Sequence, residues 1–401
     1  MESWRSCGNV AVCLACRTHD PARTSYSTRA VSASFLVTGR ATPEATGTYA
    51  SKFASSLAVN FFRNALDGLS VSSIGMGTYL GDCDDAEDSR YVAVLAAGIG
   101  DGINVIDTAI NYRCQRSERA VGRALSKSIA SGGVSRDEVV VCTKAGYVPL
   151  DGSPPETRAE YTEYLKSEYF DREIITPSDL VAGGHCIRPR FLADQIERSR
   201  SNLGVDCIDL FYIHNPEQQL DVLSRASFLD AVREAFAELE KQVASGRISA
   251  YGCATWNGFR VFAASKNYLS LVELHDAAVE VGGTGHHFKA VQLPVNLAMT
   301  EAVRMPTQHN GLNNVSLLEN ASELGISVFA SASLMQSQLT RDLPPAARSM
   351  FAGLDSDAQR AIAFVRSLPV SSALVGMKSV EHLEENLGAA RPIDAAPSIR
   401  S

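Results

Sequence analysis

Four residues with side chains suited to acid–base chemistry stand where predicted strands end. Asp107 closes a short apolar run, and Tyr112 follows it in the next loop. Lys144 and His214 end the next two apolar, strand-like segments. Because the carboxyl ends of parallel strands meet on one face of a barrel, these side chains are expected to lie together. Taken singly, each has a plainer role available, such as helix capping for Asp107.

Such a group is suited to moving a proton onto a carbonyl oxygen. A free phenol has a pKa of about 10, so Tyr112 needs a nearby cation to act as an acid at neutral pH. Lys144 would supply that cation, and Asp107 would hold it charged and in place. His214 would hydrogen-bond the substrate oxygen. An alternative is an aldolase-type barrel in which Lys144 forms a Schiff base with the substrate.

The segments that position these residues alternate between strand and helix patterns. Strands are predicted at residues 69–76, 103–107, 138–144, 207–214, 248–253, 290–294, 326–330 and 373–376. Helical apolar spacing lies between most of them. Eight alternating units favour an α/β fold of the (β/α)8 TIM-barrel type over an open doubly wound sheet. No glycine-rich dinucleotide fingerprint follows a predicted strand, as a Rossmann domain would require.

Composition excludes several classes of function. The 401 residues are 45% hydrophobic and carry a formal net charge of −8. A negative chain without clustered Lys and Arg is not expected to bind nucleic acid. No apolar run approaches the roughly 18 residues of a membrane-spanning helix. The nine cysteines are scattered, which favours reduced thiols over a disulfide framework. Cys13 and Cys16 have the spacing of a metal-binding or redox pair, but no second ligand pair accompanies them and the histidines are not clustered, so no metal site is predicted.

The first 60 residues differ in composition from the remainder. They are rich in Ser, Thr, Ala and Arg, and their only acids are Glu2, Asp20 and Glu44. This composition is typical of an organellar transit peptide, with a plastid favoured over a mitochondrion. A disordered extension of a cytoplasmic protein is the alternative. We therefore predict a transit peptide or disordered extension over residues 1–60 and one barrel domain over residues 61–401.

At these motifs the sequence resembles the aldo-keto reductase superfamily, over residues 69–390. The likeness rests on Asp-Thr-Ala-Ile-Asn-Tyr at 107–112, Thr-Lys at 143–144 and Ile-Asp-Leu-Phe-Tyr-Ile-His-Asn-Pro-Glu at 208–217. The resemblance implies a barrel that uses NADPH to reduce the carbonyl of a small aldehyde or ketone to an alcohol, with Tyr112 as general acid. The alternative within the same superfamily is a cofactor-binding regulatory subunit with little catalytic flux.

The resemblance also assigns cofactor-binding positions. These are Gly77, Thr78, Tyr79, Gln292, Ser331, Leu334, Lys378, Ser379, Glu385 and Asn386. Gln292 would stack beneath the nicotinamide, and Lys378 with Ser379 would meet the 2′-phosphate. A phosphate needs charge neutralisation, so a cation there favours NADPH over NADH. Lysine stands where the family often has a bidentate arginine, which weakens that preference.

Two segments depart from the family pattern. Residues 147–185 form a long, charged connection after the third strand, where relatives often have a short substrate loop. This insertion is expected either to cover the mouth and set specificity or to act as a mobile lid. The Ser-Asn pair that many relatives place near the carboxamide is absent, and Trp256 or Asn257 is the candidate to line the pocket instead.

Overall fold

Eight parallel strands close a barrel in a computed structural model that describes residues 36–391. The strands are β1 (Ile74–Gly77), β2 (Val105–Asp107), β3 (Val140–Ala145), β4 (Ile208–His214), β5 (Ile248–Ala254), β6 (Phe288–Pro294), β7 (Ser327–Ser331) and β8 (Ser372–Gly376). Neighbours in the chain are neighbours in the sheet, and β8 pairs with β1 to close the ring. The predicted (β/α)8 barrel is confirmed.

Helices surround the barrel. The main ones are α1 (Asp85–Gly100), α2 (Arg116–Ala130), α3 (Pro189–Leu203), α4 (Arg225–Ala244), α5 (Leu271–Gly282), α6 (Leu317–Glu323), α7 (Asp357–Arg366) and α8 (Val380–Leu387). The other helices are Pro43–Lys52, Arg158–Leu165, Glu301–Arg304 and Pro345–Met350. In α2 the buried residues include Val121 and Leu125, the apolar spacing of a helix that packs one face on a sheet. No helix within the described residues is long and apolar enough to cross a membrane.

The strand predicted at residues 69–76 is two strands. Leu69–Ser72 pairs antiparallel with Phe62–Ala65 outside the barrel, and β1 begins only at Ile74. The backbone N–H of Ser73, between them, donates to the Phe61 carbonyl at 2.7 Å. The prediction of one continuous strand is wrong because apolar residues continue on both sides of this break. The hairpin's Val71 packs with residues of the barrel interior.

Residues 36–60 belong to the folded body. Helix Pro43–Lys52 begins after Thr42, whose side chain accepts a hydrogen bond from Ala45 N. It buries Tyr49, and the tyrosine hydroxyl donates to the Ile99 carbonyl of α1. The predicted boundary at residue 60 is therefore wrong, because this helix adds its apolar face to the core. The remainder of the predicted transit peptide, residues 1–35, lies outside the described residues.

The connection between β3 and α3 is a folded substructure. It holds helix Arg158–Leu165, the π-helical turn Lys166–Phe170 and the 3-10 turn Pro177–Asp179. Tyr169 is fully buried and packs against Phe191 of α3, with ring centroids 6.0 Å apart. Its first and last residues, 147 and 185, are joined by an isolated β-bridge. Both ends of the insertion therefore lie beside the carboxyl end of β3.

Candidate active site

The structure brings together the four residues predicted at strand ends. The Lys144 ammonium lies 2.7 Å from Asp107 Oδ2 and donates to the Thr108 carbonyl at 2.8 Å. The same ammonium lies 5.0 Å from the centre of the Tyr112 ring. The His214 ring is 6.0 Å from the Tyr112 ring, centroid to centroid. β2, β3 and β4 each contribute to this group through their carboxyl ends or the loop that follows.

Lys144 is charged although it is buried. Burial alone lowers the pKa of Lys144, but the Asp107 carboxylate and the Tyr112 phenol raise it, and the result lies above the ordinary value. The side chain has no exposed surface, and that of Asp107 is 7% exposed. A fixed positive charge therefore stands beside Tyr112, where water screens it little.

The pKa of Tyr112 moves in the direction opposite to the simple expectation. Burial raises the pKa of the phenol, Lys144 lowers it, Asp107 raises it, and the net change is upward. The sequence predicted the effect of the cation but not the larger effect of burial. Tyr112 is consequently protonated at neutral pH, in the form that can donate, and Lys144 is the group that would stabilise its phenolate.

His214 is neutral. Burial, the Lys144 charge and His185 lower the pKa of His214 well below its usual range. Its ring therefore does not compete with Lys144 as a second cation beside Tyr112. A neutral imidazole donates a hydrogen bond through one nitrogen, which fits the predicted contact with a substrate oxygen.

A second histidine, which sequence reasoning did not place in the site, supports His214 from behind. His185 Nε2 lies 2.7 Å from the His214 carbonyl oxygen, and its Nδ1 lies 2.8 Å from Gln219 Nε2. The amide of Gln219 donates to Nδ1, so the proton of His185 is on Nε2 and is given to the His214 carbonyl. Gly146 permits this approach: a Cβ at that position would meet both the His214 carbonyl and the His185 ring.

Tyr147 is a further aromatic residue at the mouth that the sequence did not single out. Its ring lies 5.3 Å from the His214 ring and 5.0 Å from the His185 ring. Its hydroxyl accepts a hydrogen bond from Asn215 Nδ2 at 2.9 Å. The only sequence signal was its place at the start of the insertion. The insertion thus supplies side chains to the site from both of its ends.

Glu217 holds the loop that carries Trp256. Its Oε1 accepts hydrogen bonds from the Thr255 hydroxyl, from Trp256 N at 3.2 Å and from Asn257 N at 3.4 Å. Burial raises the pKa of Glu217 and these hydrogen bonds lower it, with a net rise. Trp256 itself is 46% exposed. The predicted pocket-lining side chain therefore stands on a fixed loop after β5.

The predicted cofactor positions nearest the group of four contact it directly. Gln292 Nε2 donates to Asp107 Oδ1 at 2.8 Å. The Thr78 hydroxyl donates to the Asp107 carbonyl at 3.2 Å, and Gly77 pairs with Asp107 in the sheet. Tyr79 is exposed, with its ring 5.0 Å from that of Tyr112. Because the Gln292 amide is committed to Asp107, this residue also orients the acid, and its stacking on a nicotinamide stays a prediction.

The remaining predicted positions lie at the end of β7 or in the segments after β7 and β8. They are Ser331, Leu334, Lys378, Ser379, Glu385 and Asn386. The ammonium of Lys378 lies 2.9 Å from Glu87 Oε1 of α1. Ser379 caps α8 by accepting a hydrogen bond from His382 N. Asn386 is buried and Glu385 is exposed, so of these two only Glu385 is open to solvent on α8.

The site has buried hydrogen-bonding groups that a bound nicotinamide nucleotide could meet. Thr108 Oγ1, Asn111 Oδ1 and His214 Nδ1 are buried without a hydrogen-bond partner in the described part of the chain. Buried polar atoms are normally satisfied, so these mark places where a bound polar molecule has partners to meet. At the other end, Lys378 and the capped start of α8 suit a phosphate. Residues 36–391 contain no cluster of metal-ligating side chains.

The fold and the site define the chain as a (β/α)8 barrel with a buried Asp–Lys pair and a tyrosine at its mouth. The model of the Aldo/keto reductase family matches residues 73–275. The chain belongs to this family. The match includes Asp107, Tyr112, Lys144 and His214, and it ends before β6.

Curated relatives match about half of the chain. D-threo-aldose 1-dehydrogenase of Pseudomonas sp is 33% identical over 191 residues, which are 47% of this chain and 51% of the relative. NADH-specific methylglyoxal reductase of Escherichia coli K12 is 26% identical over 211 residues, 51% of this chain and 54% of the relative. The chain therefore spans about half the length of the curated relatives it matches.

Solved structures match nearly the whole described barrel. An aldo/keto reductase from Klebsiella pneumoniae in complex with NADP and acetate superposes with a TM-score of 0.53 at 22% identity. The superposition covers 84% of this chain and 91% of that one. At this identity the likeness shows the shared fold.

Proposed function

We propose that this protein is an NADPH-dependent oxidoreductase that reduces an aldehyde or ketone to an alcohol, with Tyr112 as general acid. One observation carries the proposal: the charged Lys144 is buried between Asp107 and Tyr112. A bound nicotinamide nucleotide would supply the hydride to the carbonyl carbon. The protein must then supply one proton to the carbonyl oxygen.

Each residue of the group has one role in that proton transfer. Tyr112 gives its proton to the developing alkoxide, and Lys144 stabilises the phenolate that remains. Asp107 touches neither substrate nor proton; it keeps Lys144 charged and in position through the 2.7 Å pair. His214, held neutral, donates a hydrogen bond to the substrate oxygen.

The choice of NADPH rests on two supports. The Klebsiella pneumoniae structures contain NADP and NADPH, and Lys378 places a cation at the end of β8. The Escherichia coli relative is NADH-specific, so family membership by itself does not select the cofactor. Charge neutralisation of a 2′-phosphate by Lys378 is the physical argument for NADPH.

Oxidation of NADPH and of NADH across a panel of aldehydes and ketones tests the proposal. Tyr112→Phe should lower turnover by roughly 10² or more, the usual scale for a positioned acid, and leave NADPH binding unchanged. Tyr161→Phe is the matched control, because that phenol lies in the insertion and donates to the Gly183 carbonyl. Wild-type turnover in Tyr112→Phe would refute the acid role. Tight NADPH binding without turnover of any panel member would support the regulatory-subunit alternative.

We also propose, from composition alone, that the segment preceding the barrel directs the protein to an organelle, with a plastid favoured over a mitochondrion. Fusion of residues 1–60 to a fluorescent reporter tests this. A reporter that stays in the cytosol would reject it.

A further inference from the structure

A buried acid holds the cation at the end of β8. Glu87, in the first turn of α1, is 3% exposed, and its Oε1 lies 2.9 Å from the ammonium of Lys378. Its Oε2 is paired with Arg90 one turn further along α1. Lys378 is 40% exposed and Arg90 is 58% exposed. The acid is therefore the fixed member of this trio, and the two cations face solvent.

The loop between β1 and α1 packs closely on Glu87. The backbone N–H of Glu87 donates to the capping side chain of Asp84 at 2.7 Å. Gly81 lies directly on the carboxylate, where a Cβ would come within 2.8 Å of its carboxyl carbon. Gly81 also has a φ of +127°, a conformation that glycine adopts without strain. A larger residue at Gly81 would therefore displace the carboxylate that pairs with Lys378.

The trio leaves a small positive charge where a phosphate is expected. Glu87 cancels one of the two cations, Lys378 and Arg90, so the net charge of the three is +1. Lys378 directly precedes the capped first turn of α8, whose backbone N–H groups favour an anion. A 2′-phosphate bound to Lys378 would also feel the carboxylate on the other side of the ammonium, and this repulsion opposes binding.

We propose that Glu87 is a specificity-determining residue for the cofactor. It weakens the preference of the protein for 2′-phosphorylated nicotinamide nucleotides over those that lack this phosphate. The inference rests on the proposed function, because Lys378 is taken as the residue that meets the 2′-phosphate. NADH lacks this phosphate, so Glu87 affects its affinity little. The preference of the chain for NADPH over NADH is accordingly smaller than the one that Lys378 and Arg90 would produce without Glu87.

Direct binding measurements with NADPH and NADH test this without turnover. Glu87→Gln raises the net charge of the trio from +1 to +2 and is expected to raise the ratio of Kd for NADH to Kd for NADPH roughly tenfold. Asp85→Asn is the matched control: it removes the same charge from the same helical turn, but Asp85 is fully exposed and pairs with Arg116. The control ratio should stay within about twofold of wild type, since Asp85 is paired with Arg116 and belongs to no ion pair with Lys378 or Arg90.

A second variant covers the case in which Glu87→Gln does not fold. Arg90→Gln changes an exposed side chain and lowers the net charge of the trio to zero, so the ratio should fall severalfold. In a Lys378→Ala background, Glu87→Gln should shift the ratio much less than it does in wild type. An unchanged ratio in Glu87→Gln or in Arg90→Gln, an equal shift in Asp85→Asn, or a full shift without Lys378 would overturn the inference. Failure of the wild type to bind either nucleotide would instead overturn the proposed function.

Discussion

The ammonium of Lys144 lies 2.7 Å from Asp107 Oδ2, and both side chains are buried. A buried ion pair of this kind is weak evidence for stability, because the desolvation of two charges offsets most of their attraction. The pair instead serves to hold the charge of Lys144 in position beside Tyr112. Asp107 is itself oriented by the Gln292 amide at 2.8 Å, so the charge beside Tyr112 is fixed from two directions.

Asp107→Asn should alter the pH dependence of turnover as well as its magnitude. Asp107 raises the pKa of both Lys144 and Tyr112, so both values should fall when its charge is removed. The form in which both Lys144 and Tyr112 are protonated is then lost at a lower pH. The alkaline limb of the kcat/KM profile should therefore move to lower pH. Profiles of wild type and variant with the same carbonyl substrate measure this, with NADPH affinity as the control. An alkaline limb that does not move would show that Asp107 has no influence on these two protons.

His185 should make stability depend on pH below neutrality. Burial lowers the pKa of His185 from 6.5 to about 4, opposed by its hydrogen bond to the His214 carbonyl. Between these values the unfolded chain binds the proton and the folded chain does not. The free energy of unfolding is therefore unaffected by this group above pH 6.5 and decreases as the pH falls towards 4, by up to about 3 kcal/mol.

His185→Gln removes this titration and keeps an amide that can donate to the His214 carbonyl. Urea unfolding at several pH values between 4 and 7 should show a shallower decline for the variant than for wild type. Parallel curves would mean that the pKa of His185 is the same in the folded and the unfolded chain. The comparison uses slopes, so a uniform loss of stability in the variant does not affect it.

Gly146→Ala should damage the site through its shape. The new Cβ would collide with the His214 carbonyl and lie 2.9 Å from His185 Nε2, so β3 and β4 must separate at their carboxyl ends. A loss of about 1–3 kcal/mol in the free energy of unfolding is expected, as for other overpacked sites, together with reduced turnover. Gly285→Ala is the control, since its Cβ meets nothing within 4 Å. Equal stability of the two variants would contradict the close approach at Gly146.

Tyr49→Ala tests whether the helix before residue 60 is part of the fold. Tyr49 is buried and donates to the Ile99 carbonyl, so its truncation should cost about 3–5 kcal/mol. Thr48→Ala, on the exposed side of the same helix, should change stability by less than about 0.5 kcal/mol. Thermal or urea unfolding of the two variants makes the comparison. A Tyr49→Ala protein as stable as wild type would show that the packing of this helix through Tyr49 does not stabilise the fold.

Local signals in the sequence were sufficient for the barrel and for the group of four. Apolar runs that end in Asp107, Lys144 and His214 indicated the ends of strands directly. Helical spacing between these runs indicated helical crossovers, which connect parallel strands. Parallel strands in a barrel place their carboxyl ends on one face, so the meeting of these residues followed from pattern alone. The strand prediction failed where an apolar run continues although the strand with which the chain pairs changes. This happens at Ser73, between the antiparallel hairpin and β1.

Only the tertiary structure decided what depends on neighbours distant in the chain. It paired Glu87 with Lys378, brought His185 behind His214, and packed Tyr49 on α1. It also decided the direction of the pKa shift of Tyr112, because burial raises this pKa by more than Lys144 lowers it. The physical reason is that desolvation and charge pairing depend on the surroundings of each group in the folded chain, whereas residue types and their spacing specify only which groups are present.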